Sequence, residues 1–234
     1  MRLAKLREEV LEANLDLVRR GLVLSTFGNA SGVARNKGLI VIKPSGVPYE
    51  RMKPSDLVVA DLQGKVVEGK LRPSSDLPTH AALYRAFPAI GGIAHTHSEY
   101  ATAWAQARKS IPCFGTTHAD YFRGAIPLTE VMTDDEISGE YEANTGEVIV
   151  RAFKRLDPMA IPAVLVANHG PFAWGADAHE AAENAWMLEA AARMAYFTVA
   201  INKDAGPVGK TLHDRHFLRK HGAKAYYGQK KGKK

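Results

Sequence analysis

Gly92-Ile93-Ala94-His95-Thr96-His97 is a short apolar run that ends in two histidines one residue apart. Its length and composition predict a buried strand, and alternate side chains of a strand share a face, so His95 and His97 point to the same side. Just upstream, Ser74-Ser75-Asp76 supplies N-cap residues for a helix running through Phe87. Just downstream, a second helix is expected over residues 98–107. This helix–strand–helix unit, with polar residues at the strand's end, has the organisation of an α/β domain, in which sites collect at strand ends.

The reading extends to both ends of the chain. Leu3, Leu6, Val10, Leu11 and Leu15 recur at helical spacing, which predicts a first helix ending near Gly21. Residues 38–44 read as a buried strand and residues 56–68 as a hairpin turning at Gln63-Gly64. Further helices are expected over 134–142, 178–202 and 210–222, the second rich in alanine and so both helix-favouring and able to pack closely. Strands are expected over 146–152 and 161–168. Hairpins interleaved with helices argue against a purely parallel sheet. The expected fold is therefore a single α/β domain over residues 1–229, with a mixed, mostly antiparallel central sheet covered by helices on both faces, followed by a basic tail at 230–234.

Composition narrows the function classes. The 234 residues carry a formal charge of +6, but Lys230, Lys231, Lys233 and Lys234 account for four of those charges, leaving +2 for the rest. That is too small a field for a nucleic-acid footprint on a chain this long. One cysteine, Cys113, excludes an intrachain disulfide and fits a reducing compartment. The first ten residues mix charges with apolar residues at helical spacing, which predicts neither a signal peptide nor a membrane span. A cytoplasmic protein with no membrane partner is expected.

A third histidine, His169, closes the strand-like run 161–168 and is followed by Gly170-Pro171, read as a strand stop. Three neutral imidazoles with an open fourth position suit a catalytic Zn²⁺, Mn²⁺ or a similar divalent ion that polarises a carbonyl. Three other stretches have the chemistry of anion sites. Thr26-Phe27-Gly28-Asn29-Ala30-Ser31 and Lys43-Pro44-Ser45-Gly46 combine glycine with hydroxyl, amide or ammonium donors, and Ser74-Ser75 opens a helix whose free N–H groups favour a phosphate. No dinucleotide fingerprint or phosphate-binding P-loop is present to account for them otherwise.

These segments carry a resemblance that runs nearly end to end. Gly28-Asn29, Val41-Ile-Lys-Pro-Ser-Gly46, Pro73-Ser-Ser-Asp76, Gly91-Gly-Ile-Ala-His-Thr-His-Ser98, Gly115-Thr-Thr-His-Ala-Asp-Tyr-Phe122, Asn168-His-Gly-Pro-Phe-Ala-Trp-Gly175 and the segment Leu218 to Gln229 are together very specific. The chain resembles the L-ribulose-5-phosphate 4-epimerases of the class II aldolase/adducin superfamily. The resemblance implies a metal held by His95, His97 and His169, with Asp76 as a neighbouring or weak fourth ligand. It implies phosphate binding by Gly28, Asn29, Lys43, Ser45, Gly46, Ser74 and Ser75, the stretches already marked by donor chemistry. It further implies an acid/base pair of Asp120 and Tyr227, the latter reaching in from an adjacent subunit of a cyclic tetramer, with Asp120 beside the metal strands. Glu142 and His216 fall in matching segments and are expected to orient catalytic or substrate groups.

The implied reaction interconverts two phosphorylated ketopentoses, L-ribulose 5-phosphate and D-xylulose 5-phosphate, by cutting and re-forming the C3–C4 bond, a step common to arabinose and ascorbate catabolism. The nearest rival is a sister aldolase of the L-fuculose 1-phosphate type, which would release both fragments. In such aldolases a glutamate resembling Asp76 serves as acid/base, so Asp76 and the Tyr226-Tyr227 ending favour the epimerase. A non-enzymatic scaffold of the adducin type would lack the three histidines. The sequence departs from the epimerase pattern at Ala167-Asn168 and in the appended lysines.

Overall fold

The structure, a computed structural model, describes residues 2–227; the basic tail lies outside the described residues. In chain order the elements are α1 (Ala4–Arg19), β1 (Asn29–Ala34), β2 (Leu39–Ile42), β3 (Val58–Asp61), β4 (Val66–Glu68), α2 (Leu77–Ala86), β5 (Gly92–His95), α3 (Glu99–Gln106), α4 (Thr116–Ala119), α5 (Asp134–Ser138), α6 (Tyr141–Ala152), β6 (Ala163–Val166), β7 (Gly170–Gly175), α7 (Ala178–Ile201) and α8 (Lys210–His221).

The seven strands form one sheet in the order β4-β3-β2-β1-β5-β7-β6. Every ladder between them is antiparallel, where a mixed, mostly antiparallel sheet was expected. The parallel contribution among the described residues is a single isolated bridge between Leu128 and Leu165. Strand alternation sends side chains to two cores. Ala30, Val41, Ala94 and Ala173 join the core beneath α1, α3 and α7, while Ile40, Ile42, Ile93, Phe172 and Trp174 join the core beneath α2 and α6. Small residues on the first face let the alanine-rich α7 lie close to the sheet. At Gly92 the approach leaves no room for a side chain, since a Cβ there would stand 2.3 Å from the Asp177 carbonyl oxygen at the start of α7.

Three expectations are corrected. Residues 146–152, read as a strand, are the body of α6, because tertiary packing overrides the β-branched run Val148-Ile149-Val150. Thr145, Gly146, Val148 and Ile149 are the buried positions, a helical spacing, and the helix packs on α2. The single helix expected over 134–142 is two, broken between Ser138 and Tyr141. Gly170-Pro171, read as a strand stop, begins β7, although β6 does end before it, at Val166. No helix of the described residues is long and apolar enough to cross a membrane.

Candidate active site

The β1–β5 ladder sets Asn29 opposite His95, and the β5–β7 ladder sets His95 opposite Phe172, so the three side chains leave one face of the sheet. His95 is the last residue of β5 and is buried. Its ring stacks on Phe172 at a centroid distance of 4.1 Å, and its Nδ1 lies 2.9 Å from the Pro171 carbonyl oxygen. The carbonyl can only accept, so Nδ1 carries the proton and Nε2 is free to bind a cation. His97 lies two residues beyond the strand end. His169 sits in the turn between β6 and β7, where Asn168 takes a φ of 61° and the His169 N–H donates to Val166 O at 3.0 Å.

The three rings converge, with centroid separations of 4.9, 4.9 and 5.1 Å. One ligand nitrogen from each lies within 4.8 Å of the other two, near enough for one divalent cation to draw them together. Burial, then the neighbouring imidazoles, pushes His169 down to about 4, and burial lowers His97 as well. Neutral imidazole is the ligand form, so the pocket favours cation binding at neutral pH. Tyr141 OH stands 3.4 Å from His169 Nδ1. Asp76, at the N-cap of α2, accepts from Asn29 Nδ2 at 2.6 Å but is not part of the converging trio. Burial pushes its carboxyl up, and the fields of His95 and His80 with the Asn29 amide more than offset this, holding it below the ordinary value.

A cavity of about 420 Å³ opens over the trio, within the range of small-molecule sites. Gly28, Asn29, Lys43, Ser45, Gly46, Ser74, Ser75, Asp76, His95, His97 and His169 all line it, so the metal and phosphate candidates share one pocket. Lys43 is 2% exposed. Its Nζ lies 4.5 Å from the Tyr49 ring centre and donates to Pro44 O at 3.3 Å, and no carboxylate pairs with it among the described residues. Burial lowers its pKa. A buried ammonium with no carboxylate needs an anion, and the hydroxyls and N–H groups beside it suit a phosphate. Thr26, Phe27, Pro44, Tyr141 and Glu142 complete the lining; of these only Tyr141 falls in no stretch the sequence marked. Tyr141 escaped notice because the helix break that aims it into the pocket was not foreseen.

Asp120 and Tyr227 are elsewhere, which corrects the expectation that Asp120 lies beside the metal strands. Asp120 follows α4, and its carboxylate accepts from Arg219 Nε at 2.9 Å and Nη2 at 2.6 Å on α8, with His216 Nδ1 at 3.2 Å. Burial raises its carboxyl, but these bonds prevail and hold it below the ordinary carboxylate value. The same guanidinium lies 4.7 Å from the centre of the Tyr227 ring, which is 57% exposed. Arg219 thus gathers both residues on one flank of a single chain, and neither lines the cavity.

Residues 8–196 match the model of the Class II Aldolase and Adducin N-terminal domain. An L-ribulose-5-phosphate 4-epimerase, UlaF, of Salmonella paratyphi A is 55% identical over 226 residues, covering 97% of this chain and 99% of the relative. Among solved structures, an L-fuculose 1-phosphate aldolase superposes with a TM-score of 0.78 at 27% identity, covering 92% of this chain and 96% of the other. The L-fuculose 1-phosphate aldolase from Glaciozyma antarctica PI12 shares the fold, with a TM-score of 0.75 at 20% identity over 92% of this chain and 81% of its own. A match over most of the chain, a relative more than half identical along its whole length, and three imidazoles gathered at the end of an antiparallel sheet agree on one conclusion: the chain belongs to the class II aldolase and adducin family.

Proposed function

We propose that the chain interconverts L-ribulose 5-phosphate and D-xylulose 5-phosphate. The observation that carries this is a single cavity with three converging imidazoles on one side and a buried, carboxylate-free Lys43 among glycine and hydroxyl loops on the other. The 55% identity to an L-ribulose-5-phosphate 4-epimerase chooses the substrate among sugar phosphates. Carbon 4 of the substrate has no acidic proton, because the C2 ketone activates only C1 and C3. Inversion therefore requires the C4 hydroxyl to lose its proton, C4 to become an aldehyde, and the C3–C4 electron pair to move into an enediolate of dihydroxyacetone. Glycolaldehyde phosphate then turns and the bond re-forms on its other face.

A divalent cation held by His95, His97 and His169, which we take to be Zn²⁺, supplies Lewis-acid stabilisation of the enediolate charge when bound. Lys43, with Ser45, Gly46, Ser74 and Ser75, anchors the phosphate so that the aldehyde can rotate without leaving. Two proton-transfer groups on opposite faces serve the two epimers, and we assign them to Asp120 and Tyr227. Since both stand on the α4–α8 flank, a second copy of the chain supplies them to the cavity, in a cyclic tetramer. The working compartment is the cytoplasm.

A coupled assay for D-xylulose 5-phosphate, with free aldehyde followed alongside, tests the reaction. Epimer is expected as the main product, with loss of turnover on chelation and recovery on adding Zn²⁺ or Mn²⁺. Glycolaldehyde phosphate as the main product would establish the aldolase reading instead.

A further inference from the structure

Behind Asn29 and Asp76 a line of polar side chains, Ser31, His80 and Tyr84, runs into the apolar core, and the proton transfers and phosphate contacts above use none of these three. Asp76, His80 and Tyr84 stand at four-residue spacing and share one face of α2. Asn29 and Ser31 stand two apart on β1 and share one face of the sheet. The two faces are zipped together. Asn29 Nδ2 donates to Asp76 Oδ2 at 2.6 Å, and Ser31 Oγ lies 2.7 Å from His80 Nδ1 and 2.8 Å from Tyr84 OH. Ser31, His80 and Tyr84 are each 0% exposed.

An apolar trio would fill this space without the desolvation cost of three polar groups, so packing alone does not explain the ladder. Its upper end is also unfinished. His80 Nε2 is buried and has no hydrogen-bond partner. His80 is further linked to the cation site by Phe172, its ring edge-on to Phe172 at 6.2 Å and Phe172 stacked on His95 at 4.1 Å.

We propose that His80 is a positioning residue for the cation site, acting through Asp76. With Tyr84 donating to Ser31 and Ser31 donating to His80 Nδ1, the ring proton lies on Nε2, an N–H with no other partner whose dipole acts on the Asp76 carboxylate one helical turn away. The proposal rests on the reading that His95, His97 and His169 hold a divalent cation.

The test uses the full chain loaded with Co²⁺, whose affinity is read by chelator competition and whose ligand field is read by visible absorption. His80→Phe is expected to weaken Co²⁺ binding by about 10- to 100-fold and to shift the absorption bands. His80→Gln, which keeps an N–H donor at the far end of the side chain, is expected to retain most of the affinity. Because His80 acts through Asp76, adding His80→Phe to Asp76→Asn should change the affinity no further. Should His80→Phe not fold, Ser31→Ala releases the tautomer and is expected to move affinity and spectrum in the same direction. Wild-type affinity and an unshifted spectrum in folded His80→Phe or Ser31→Ala overturn the proposal, even where thermal stability drops. A wild-type protein that binds no Co²⁺ overturns the cation reading, and the ladder's role with it.

Discussion

At the scale of the residue, chemistry was legible wherever neighbours in sequence do the work. His95 and His97 sit one residue apart, and the Lys43 to Gly46 and Ser74 to Asp76 stretches carry their donors side by side. Lys43 is the sharpest case. An ammonium without a carboxylate partner forms charge-assisted bonds of about 1.5–3 kcal/mol with a phosphate, so Lys43→Met is expected to raise KM by about 10- to 100-fold with metal content unchanged. Steady-state kinetics and metal analysis check both halves. What could not be read were roles fixed by distant partners. Asp120 is set by Arg219, 99 residues away, and no local pattern announces that pairing. His118 illustrates a residue whose burial dominates its behaviour, outweighing the bond with Gly124 that favours the charged form. Its Nε2 lies 2.7 Å from Gly124 O, and burial pushes its pKa down to about 4. The unfolded chain, with an ordinary histidine near pH 6.5, binds this proton first as pH falls. Stability from His118 is therefore complete above about pH 6.5 and is lost as pH drops toward 4. Thermal melts of wild type and His118→Gln across that window should show a shallower decline in the variant.

At the scale of the element, periodicity succeeded where one face of a helix or strand meets one core. The first helix follows this rule, while the hairpin at Gln63-Gly64, the β5 strand and α7 were legible from turn residues, an apolar run and alanine content. It failed where a partner decides. The Val148-Ile149-Val150 run favours a strand in isolation, yet α2 offers a groove that only a helix fills. Gly146 makes that packing possible, because a Cβ there would lie 2.6 Å from the Ala82 Cβ. Gly146→Ala should gain up to about 1 kcal/mol of helix propensity but lose about 1–3 kcal/mol to overpacking. Net destabilisation in urea titrations is the expected outcome; net stabilisation would show that α2 and α6 separate easily. Strand β7 was missed because it carries Pro171, a residue rarely placed in an interior strand. Pro171 O accepts from the Thr96 N–H at 3.4 Å, so the missing Pro171 N–H also faces Thr96, just past the point where β5 has ended. No ladder bond is lost there, and the same carbonyl serves His95.

At the scale of the whole molecule, the proposed shared site divides into two groups of residues that lie apart on one chain. The cavity has the imidazoles and Lys43, and the α4–α8 flank has Asp120 and Tyr227 joined by Arg219. The far part of α7 also leaves apolar side chains in solvent, with Phe197 44% and Ile201 86% exposed, a surface a second copy would cover. If a neighbour's flank completes each cavity, Asp120 and Tyr227 enter a given site from the same chain, and complementation must follow that pairing. His97→Asn disables the cavity and spares the flank; Asp120→Asn does the reverse. Each pure variant should be nearly inactive. Unfolded, mixed in equal amounts and reassembled, the two should form some sites with an intact cavity from one chain and an intact flank from its neighbour. Random assembly in a ring gives up to about one-quarter of wild-type activity. Mixing Asp120→Asn with Tyr227→Phe should restore nothing, because every flank then lacks one proton-transfer group. Had the two residues come from different chains, that second mixture would recover instead. Native mass spectrometry confirms that hybrids have formed, and an inactive hybrid of the first pair would refute the shared site.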